Sequence, residues 1–451
     1  MQQGTFDTHR QAVPRGTVYL SALDRQAESF IDPPQRTSVL ERSVLSNLLF
    51  ETAVLIPDVF YFISRGLADH IRAAIDENRE SLIGASVAEG VAISAFRDAD
   101  CDDFDKAYRT VRDTGIRGLL PPEACKQIVR HLDISARSGK ESQEFSSISW
   151  PTESVGGMYE QRLTSFLQPE GDAPPAEDPQ IIKLWNDTRH WRRESLDNAK
   201  VRDSSGFRRG SYMAALGESV GLGGAPVDDI SQIFNEVRDP ERLLALKVLC
   251  YWMNECYSYN QARAFGVMPN FPNFHPQLSQ VMLASLEPSG VNNTTTGITE
   301  TTVTERIPPP RVLLGMDPRN LIGVRKQTAG AEYFAALSEW RNNPLNEPLR
   351  RDVEDRFKAY AKALRMEAAK GSRYTETLLQ LKLSNFEGPA RKLGATAGIA
   401  TSALVSTQIP EFAPYIILGS VGYAAYIWML DRARKYPHTL KAELEVSLPQ
   451  E

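Results

Sequence analysis

The sequence predicts a mainly α-helical (α+β) protein, in which a helical body carries a small N-terminal α/β element and ends in a C-terminal apolar helical hairpin. Three observations support this fold class. Strand and helix patterns alternate near the N-terminus, and helix caps with apolar periodicity recur along most of the chain. Residues 393–430 contain a single charged side chain, Glu411, and form the most apolar stretch of the sequence.

Size and composition are those of a folded protein with more than one domain. A chain of 451 residues exceeds the size at which a single hydrophobic core usually stops growing. Its 42% hydrophobic and 24% charged residues are ordinary for a folded protein. The net charge of -6 gives no overall reason to expect nucleic acid as a partner, although a local basic patch is compatible with it.

The cysteine and histidine pattern predicts neither a metal site nor a cofactor. The four cysteines form no CxxC pair and the six histidines are scattered, which argues against a local zinc site and fits a reducing cytosol. The N-terminus lacks the apolar core of a signal peptide. We therefore expect a cytoplasmic protein without cofactors, whose membrane contact, if present, lies at the inner face of a membrane.

The N-terminal element is predicted as strand, helix, strand. Residues 17–23 form a short strand that ends at Asp24, and Thr37 caps a helix that runs through Leu48. Residues 53–63 are β-branched and aromatic, as in a buried strand, although Pro57 predicts that this strand is interrupted or lies at an edge.

The following region, up to residue 135, reads mainly as helices. Asp102 or Asp103 caps one helix that stops at Gly115, and Pro121 and Pro122 open the next. The remaining segments are predicted as a linker or long loop over 136–180, a helical domain over 181–288, an extended Thr/Pro-rich connector over 289–325 and a C-terminal helical domain over 326–451.

Particular signals within these segments lead to further predictions. The clearest helix starts at Asp239, with Pro240 at its first position, and stops near Gly266. Residues 289–305 are Thr-rich and suit an exposed loop or an edge hairpin, while the triple proline at 308–310 favours an extended connector. Helices are then expected over 329–340, 348–369 and 374–383.

The apolar hairpin consists of two arms, 393–409 and 412–430, that meet at a turn bounded by Pro410 and Pro414. Each arm is close to the lower limit of about 17 to 20 residues that a membrane span requires. Both open ends are basic and the tip is acidic, as expected for a hairpin whose ends lie in the cytoplasm. Three states fit: a hairpin in a membrane, the buried centre of a soluble domain, and an oligomer interface.

Small residues at spacings of four in the first arm form a ridge that allows a partner helix to approach closely, and the second arm supplies bulky side chains. The residues on which hairpin function is expected to depend are Gly394, Gly398, Ser402, Ser406, Pro410, Pro414, Leu418 and Trp428.

Two basic clusters are candidate contacts for anions or lipids. In the segment 185–209, arginines alternate with tryptophans, a pattern that suits phosphate contact and stacking on bases, although four acids dilute its charge and a solvated amphipathic face also fits. The second cluster follows the hairpin. Its members and those of the first are Arg189, Arg192, Arg193, Arg432, Arg434 and Lys435.

The first 100 residues admit one enzymatic alternative. The order of a strand ending at Asp24, a helix, a strand carrying Asp58 and a further helix resembles the start of a PIN-type nuclease. That resemblance implies that Asp24 and Asp58, with Asp98 or Asp100, hold divalent metal ions for phosphodiester hydrolysis. It does not extend to a second carboxylate at a clear helix position.

Three functions therefore stand as hypotheses. The leading one is a non-enzymatic effector or sensor whose C-terminal hairpin binds a membrane or a protein partner, including further copies of the chain. The alternatives are a metal-dependent PIN-like nuclease and a soluble scaffold or assembly protein.

Overall fold

The structure is a computed structural model that describes part of the chain. The described residues are 13, 17–24, 33–97, 101, 103–116, 118–138, 147–149, 189, 191, 216–222, 230–240, 242–243, 246, 250, 258, 261–262, 265, 267–269, 297–343, 346–371, 377–387 and 403–404. They are mostly helical and include a parallel sheet near the N-terminus, in agreement with that part of the predicted fold class. The predicted apolar helical hairpin lies outside the described residues except for Ala403 and Leu404, which form a strand. The chain forms two compact units. The first comprises Met1–Thr152, Gln261–Asn270 and Thr295–Phe412, and the second the remainder.

The first unit contains a parallel sheet at its centre. Its strands are β1 (Thr17–Tyr19), β2 (Ala53–Pro57), β3 (Ala92–Phe96), β4 (Ser147–Ser149) and β5 (Met268–Pro269). They lie side by side in the order β4-β3-β2-β1-β5, and every neighbouring pair is parallel. All residues of β1, β2 and β3 are buried, which is typical of parallel strands covered on both faces.

Pro57 ends β2 in the interior of the sheet. The strand lies between β1 and β3, and Pro57 is in register with Ala95 of β3. The predicted strand 53–63 is thus confirmed only up to Pro57, because residues 58–63 form a helix, and the alternative of an edge position is wrong. A proline is tolerated here because it is the last residue of the strand, where the chain turns directly into a helix at Asp58.

Six helices connect or cover these strands, and the cap signals in the sequence place several of their ends correctly. The carboxylate of Asp103 accepts a hydrogen bond from the N–H of Lys106 at the start of one helix. Gly115, with φ of 66°, follows its end. The six helices are α1 (Arg36–Phe50), α2 (Asp58–Ile63), α3 (Arg65–Asp76), α4 (Leu82–Ala88), α5 (Phe104–Asp113) and α6 (Pro122–Ser138).

β3 and β4 are among the strands that the sequence does not predict. β3 lies within a region predicted as helices, and β4 lies within the predicted linker 136–180. β3 is built from small and apolar residues, AISAF, that suit a strand enclosed on both sides but give little strand signal by themselves.

Four further helices of the first unit pack on the α/β layer. They are α8 (Pro310–Leu314), α9 (Pro318–Lys326), α10 (Thr328–Asn342) and α11 (Glu347–Ala368). The prediction of an extended connector through the triple proline is wrong, because Pro310 occupies the first position of α8, where a missing N–H costs nothing. The expected helices near 329–340 and 348–369 are confirmed as α10 and α11.

Buried arginine side chains join these helices to the α/β layer. The guanidinium of Arg325 donates to the backbone carbonyls of Leu48, Glu51 and Thr52, where α1 ends and β2 begins. It also lies 3.8 Å from the ring centre of Phe334. A helix leaves its last carbonyls without partners, so this arginine completes the C-terminus of α1 from a distant part of the sequence.

A three-stranded antiparallel sheet completes the described part of the first unit. Its strands are β6 (Gly297–Ile307), β7 (Thr377–Glu387) and β8 (Ala403–Leu404), in the order β6-β7-β8. The predicted helix at 374–383 is therefore wrong. The Thr-rich segment is an eleven-residue strand that pairs with β7 over its full length.

The second unit is described only in segments. Helix α7 spans Ile230–Glu236, and the carboxylate of Asp239 accepts a hydrogen bond from the N–H of Arg242, which confirms the predicted helix start. The described residues between Pro240 and Phe265 are helical. Trp191 is buried and donates its indole N–H to the carbonyl of Arg242 at 3.2 Å. The guanidinium of Arg242 stacks on the Trp191 ring.

Candidate functional site at the carboxyl edge of the sheet

The strand order reverses at β1, a topology in which open α/β sheets bind ligands outside the carboxyl ends of their strands. The chain builds outward from β1 through β2 and β3 to β4, then returns to place β5 on the other side of β1. In such sheets ligands bind outside the carboxyl ends of the strands, at the point where the order reverses. Two polar residues singled out in the sequence, Asp24 and Asp58, follow the carboxyl ends of the adjacent strands β1 and β2.

Asp58 is a fully buried carboxylate with protein partners on both oxygens. Its Oδ1 accepts hydrogen bonds from the N–H of Val59 at 2.6 Å and from Nε of Arg97 at 3.2 Å, and its Oδ2 accepts from the N–H of Arg97 at 2.9 Å. Burial raises the pKa of Asp58, and the charge and hydrogen bonds of Arg97 oppose that rise. The Asp58–Arg97 ion pair, here called the clasp, joins the carboxyl ends of β2 and β3.

Arg97 extends the clasp to the end of α5. Its Nη1 donates to Oγ1 of Thr114 at 3.3 Å, and that hydroxyl donates in turn to the carbonyl of Val111 at 2.6 Å. The Arg97 side chain is 15% exposed. The edge of the sheet thus presents one partly accessible guanidinium in front of a buried carboxylate.

A second polar pair lies behind the clasp. The hydroxyl groups of Tyr61 and Ser94 are 2.7 Å apart, and both residues are buried. Burial raises the pKa of Tyr61, so the phenol stays protonated and can donate to Ser94. The Tyr61 ring meets Phe104 edge to face, with ring centres 5.1 Å apart, which fixes the phenol in the core.

Asp24 occupies the corresponding position beside β1. It ends the single 3₁₀ turn Ser21–Leu23, donates its N–H to the carbonyl of Ser21 and is buried. The structure therefore brings Asp24 and Asp58 to neighbouring strand ends, as the nuclease hypothesis requires. Asp98 and Asp100 lie outside the described residues.

The described carboxylates do not fit a metal ion as they are arranged. Within the described ranges, no group of three or more His, Cys, Asp or Glu side chains is placed to hold one. Asp58 already shares its charge with Arg97 and has no exposed surface. Divalent cations need several oxygen ligands around one point, so we derive no metal-dependent step from this geometry.

A polar cluster that the sequence did not reveal lies at the start of α4. Nδ1 of His70 is 2.8 Å from Oε1 of Glu41, and Nε2 of His131 is 2.9 Å from Oγ of Ser81. Scattered histidines gave no local spacing signal. A serine three residues before Gly84 is the cap pattern that marks a helix start, and it was the only available pointer.

The other predicted site residues are mostly beyond the described part of the chain. This holds for the eight hairpin residues and for Arg192, Arg193, Arg432, Arg434 and Lys435. Arg189 is described and exposed. The neighbouring Trp191 is buried, so this aromatic side chain is not presented for stacking on a nucleic acid. Of the helices that the structure describes, none has both the length and the apolar character needed to cross a bilayer.

Comparison with known proteins gives no family assignment. The chain matches no protein family, no curated protein and no solved structure.

Proposed function

We propose that this chain is a non-catalytic cytoplasmic effector or sensor, in which a folded body holds the apolar segment 393–430 until that segment engages a membrane or assembles with further copies of the chain. The observation that carries the proposal is the pairing of the apolar segment with the body. Leu404 and Ala403, in the first arm, are in antiparallel register with Leu381 and Lys382 of β7.

This pairing is incompatible with a membrane helix at the same residues. A segment that spans a bilayer must satisfy its backbone groups internally, as a helix does, whereas β8 shares its backbone groups with β7. Engagement therefore requires release of β8. Two paired residues contribute only a few hydrogen bonds, each worth about 1 kcal/mol net, so release is inexpensive compared with burial of an apolar arm.

The body that holds the segment is firmly anchored. β7 pairs with all eleven residues of β6, and Ile307 at the end of β6 is buried three residues before α8 begins. Arg365 of α11 donates to the carbonyl of Arg306, which fixes the same end of β6 to the longest helix. Ala403 and Leu404 of the apolar segment thus pair with a strand that is attached to the core of the first unit.

The charge pattern favours insertion from the cytoplasmic side. Arg391 and Lys392 precede the segment, Arg432, Arg434 and Lys435 follow it, and Glu411 lies at its tip. Basic flanks bind anionic lipid headgroups and remain on the inner face of the membrane while the tip crosses or enters the bilayer.

Liposome flotation of the full chain tests the proposal. Wild type should float with vesicles that contain anionic lipid, and Leu418→Arg should remain at the bottom of the gradient. Ile134→Arg is the matched control, because Ile134 is 58% exposed on α6 and the same change there leaves the apolar segment intact. Equal flotation of all three proteins, or none at all, contradicts membrane engagement.

Self-assembly and a scaffold role are distinguished by sizing. Gly398→Leu fills the small-residue ridge and should reduce assembly without changing the body. If wild type and Gly398→Leu both stay monomeric and do not bind vesicles, while the chain forms a stable complex with another protein, the chain is instead a soluble scaffold.

The adjacency of Asp24 and Asp58 at parallel strand ends favours a PIN-like nuclease as a second candidate. The full chain should then cut single-stranded RNA or DNA only with Mg²⁺ or Mn²⁺, and Asp24→Asn should lose this activity. Asp69→Asn, at an exposed ion pair on α3, is the control. Cleavage that survives chelation or Asp24→Asn excludes this function.

A further inference from the structure

The imidazole rings of His70 and His131 accept backbone hydrogen bonds at the start of helix α4. The first backbone N–H groups of a helix have no partners within the helix and are usually served by a cap, and α4 is buried at all seven of its positions. Water therefore does not replace a missing partner at this helix start. The Ser81 hydroxyl accepts from the N–H of Gly84 at 2.9 Å, and two histidines serve neighbouring N–H groups.

The His70 ring bridges α3 to the helix start. Its Nε2 accepts a hydrogen bond from the N–H of Leu82 at 3.2 Å. The other ring nitrogen, Nδ1, lies 2.8 Å from Glu41 and donates to its carboxylate. Only the neutral ring with its proton on Nδ1 makes both bonds, because a protonated ring has no nitrogen left to accept.

The His131 ring accepts a hydrogen bond from Ser81, the residue that precedes α4. Its Nε2 accepts from the N–H of Ser81 at 3.3 Å and lies 2.9 Å from the Ser81 hydroxyl. That hydroxyl already accepts from Gly84, so its own proton is directed at His131. Burial lowers the pKa of His131, and the nearby Glu80 opposes this.

Close packing leaves this cluster no room to rearrange. A Cβ added at Gly84 would lie 2.6 Å from Oγ of Ser135 and 3.2 Å from Nε2 of His131. A protonated His131 can donate to the second lone pair of the Ser81 hydroxyl, but its Nε2 can no longer accept the N–H of Ser81, and the ring cannot turn away without displacing α4.

We propose that His70 and His131 form a latch on the N-terminal turn of α4, and that the latch releases in acid when His131 takes up a proton. In the neutral state each ring accepts a backbone N–H at the helix start. When protonated, the His131 ring adds positive charge at the positive end of the helix dipole and no longer accepts the N–H of Ser81. This inference is independent of the proposed function.

The charged groups around the latch are few and paired. Glu41 and Arg42 face it from α1, and Arg79 and Glu80 face it from the segment before α4. Arg319 of α9 bonds both oxygens of Glu80 and therefore screens the one carboxylate near His131. His131 is therefore the ring that sets the acid response.

Release of α4 would open the wall of a small pocket. The pocket is lined by the His70–Glu41 pair, by Leu82 of the latch and by apolar side chains of α8, α9 and the turn between them, including Leu313 and Leu321. α4 packs against α6, α9 and β3, so its movement reaches both the sheet and the C-terminal helices.

Amide hydrogen exchange of the full chain at pH 7.5 and pH 5.5 tests the latch, after correction for intrinsic exchange rates. A histidine held neutral while its unfolded pKa is near 6.5 makes opening about tenfold more favourable over this interval. We expect at least that gain for residues 80–86, whereas α11 should change by less than about twofold. In the double variant His70→Gln/His131→Gln, the glutamine amide oxygens accept hydrogen bonds at both pH values. The acid-dependent increase in exchange should therefore disappear.

Each alternative result is decisive. Equal gains in wild type and in the double variant, or no gain in wild type, overturn the latch. If the double variant does not fold, the ring ¹⁵N shifts of wild type serve instead. Protonation of His131 should then coincide with loss of protection at Leu82 and Ser81, and protonation of His131 with these amides still protected overturns the proposal.

Discussion

Oε2 of Glu51 lies 2.7 Å from Nη2 of Arg341, and the two side chains are only 2% and 6% exposed. Glu51 follows α1 directly and Arg341 is the penultimate residue of α10, so this buried ion pair joins the α/β layer to the C-terminal helices. Burial raises the pKa of Glu51, and Arg341 opposes that rise. An ion pair in such a place is costly to break from one side because the remaining charge cannot reach water.

Removal of one partner should destabilise the protein strongly. Arg341→Met leaves Glu51 buried without its ion pair and should lower the free energy of unfolding by about 3 to 5 kcal/mol. Urea unfolding followed by circular dichroism measures this. The double variant Glu51→Leu/Arg341→Met should recover most of the loss, because packed apolar groups replace the pair. A double variant as unstable as the single one contradicts this account of the contact.

Gly330 is predicted to tolerate no side chain. A Cβ at this position would lie 2.4 Å from the backbone carbonyl oxygen of Arg325, between the end of α9 and the first turn of α10. Backbone cannot move aside cheaply, so Gly330→Ala should cost about 1 to 3 kcal/mol in thermal or urea unfolding. Gly323→Ala is the matched control within α9, because a Cβ there meets nothing within 4 Å. It should be neutral or stabilising by up to about 1 kcal/mol.

Glu41 should contribute stability that is lost in acid. Burial tends to raise its pKa, but the hydrogen bond from His70 and nearby positive charges, among them Arg79 and Arg42, outweigh burial, and the net result is a lowered pKa. A carboxyl group with a lowered pKa in the folded state stabilises above its unfolded pKa and loses that contribution as the pH falls through the folded value.

Glu41→Gln should therefore reduce stability at pH 7 and flatten the decline below about pH 4.5. Denaturant unfolding at pH 3.5, 4.5 and 7 measures the difference from wild type. Glu123→Gln serves as the control, because Glu123 is exposed beside Lys126 and should give the wild-type profile. A Glu41→Gln profile parallel to wild type would show that the His70 contact does not contribute to folding.

The Asp58–Arg97 clasp should fix the carboxyl edge of the sheet. Arg97→Gln removes the charge that offsets the buried Asp58, so it should destabilise the unit by about 3 kcal/mol or more at pH 7. The same change at Arg109, which pairs with Asp105 on the surface of α5, should cost less than about 1 kcal/mol. If both variants unfold at the wild-type urea concentration, the clasp has no structural role.

Local signals in the sequence determined much of the fold near helix ends. The cap at Asp103, the stop at Gly115 and the start at Asp239 depend only on neighbouring residues, and each was predicted correctly. β7 was mistaken for a helix because leucine favours helices, although Leu379, Leu381 and Leu383 alternate with polar residues as in a strand. Its pairing with the distant β6 was not visible in local pattern.

For the candidate sites as well, contacts between residues far apart in the sequence were not predicted. The sequence predicts Asp24 and Asp58 at strand ends; in the structure Asp58 directly follows β2, whereas Asp24 lies five residues beyond the end of the adjacent strand β1. The partner of Asp58 was not predicted, because Arg97 follows β3, which lacks a strand signal. His70 and His131 are brought together at α4 only by the packing of α3, α4 and α6. Histidine spacing along the chain carries no trace of that proximity.

Membrane fractionation of the full chain beside a version that ends at Glu387 tests the central claim most directly. The shorter version keeps every strand of the parallel sheet, as well as β6 and β7, and lacks β8 with the whole apolar segment. The proposed function predicts that the full chain enters the membrane fraction and that the shorter one stays soluble and folded. If both proteins stay soluble, or if both enter the membrane fraction, the apolar segment is not the membrane-engaging element.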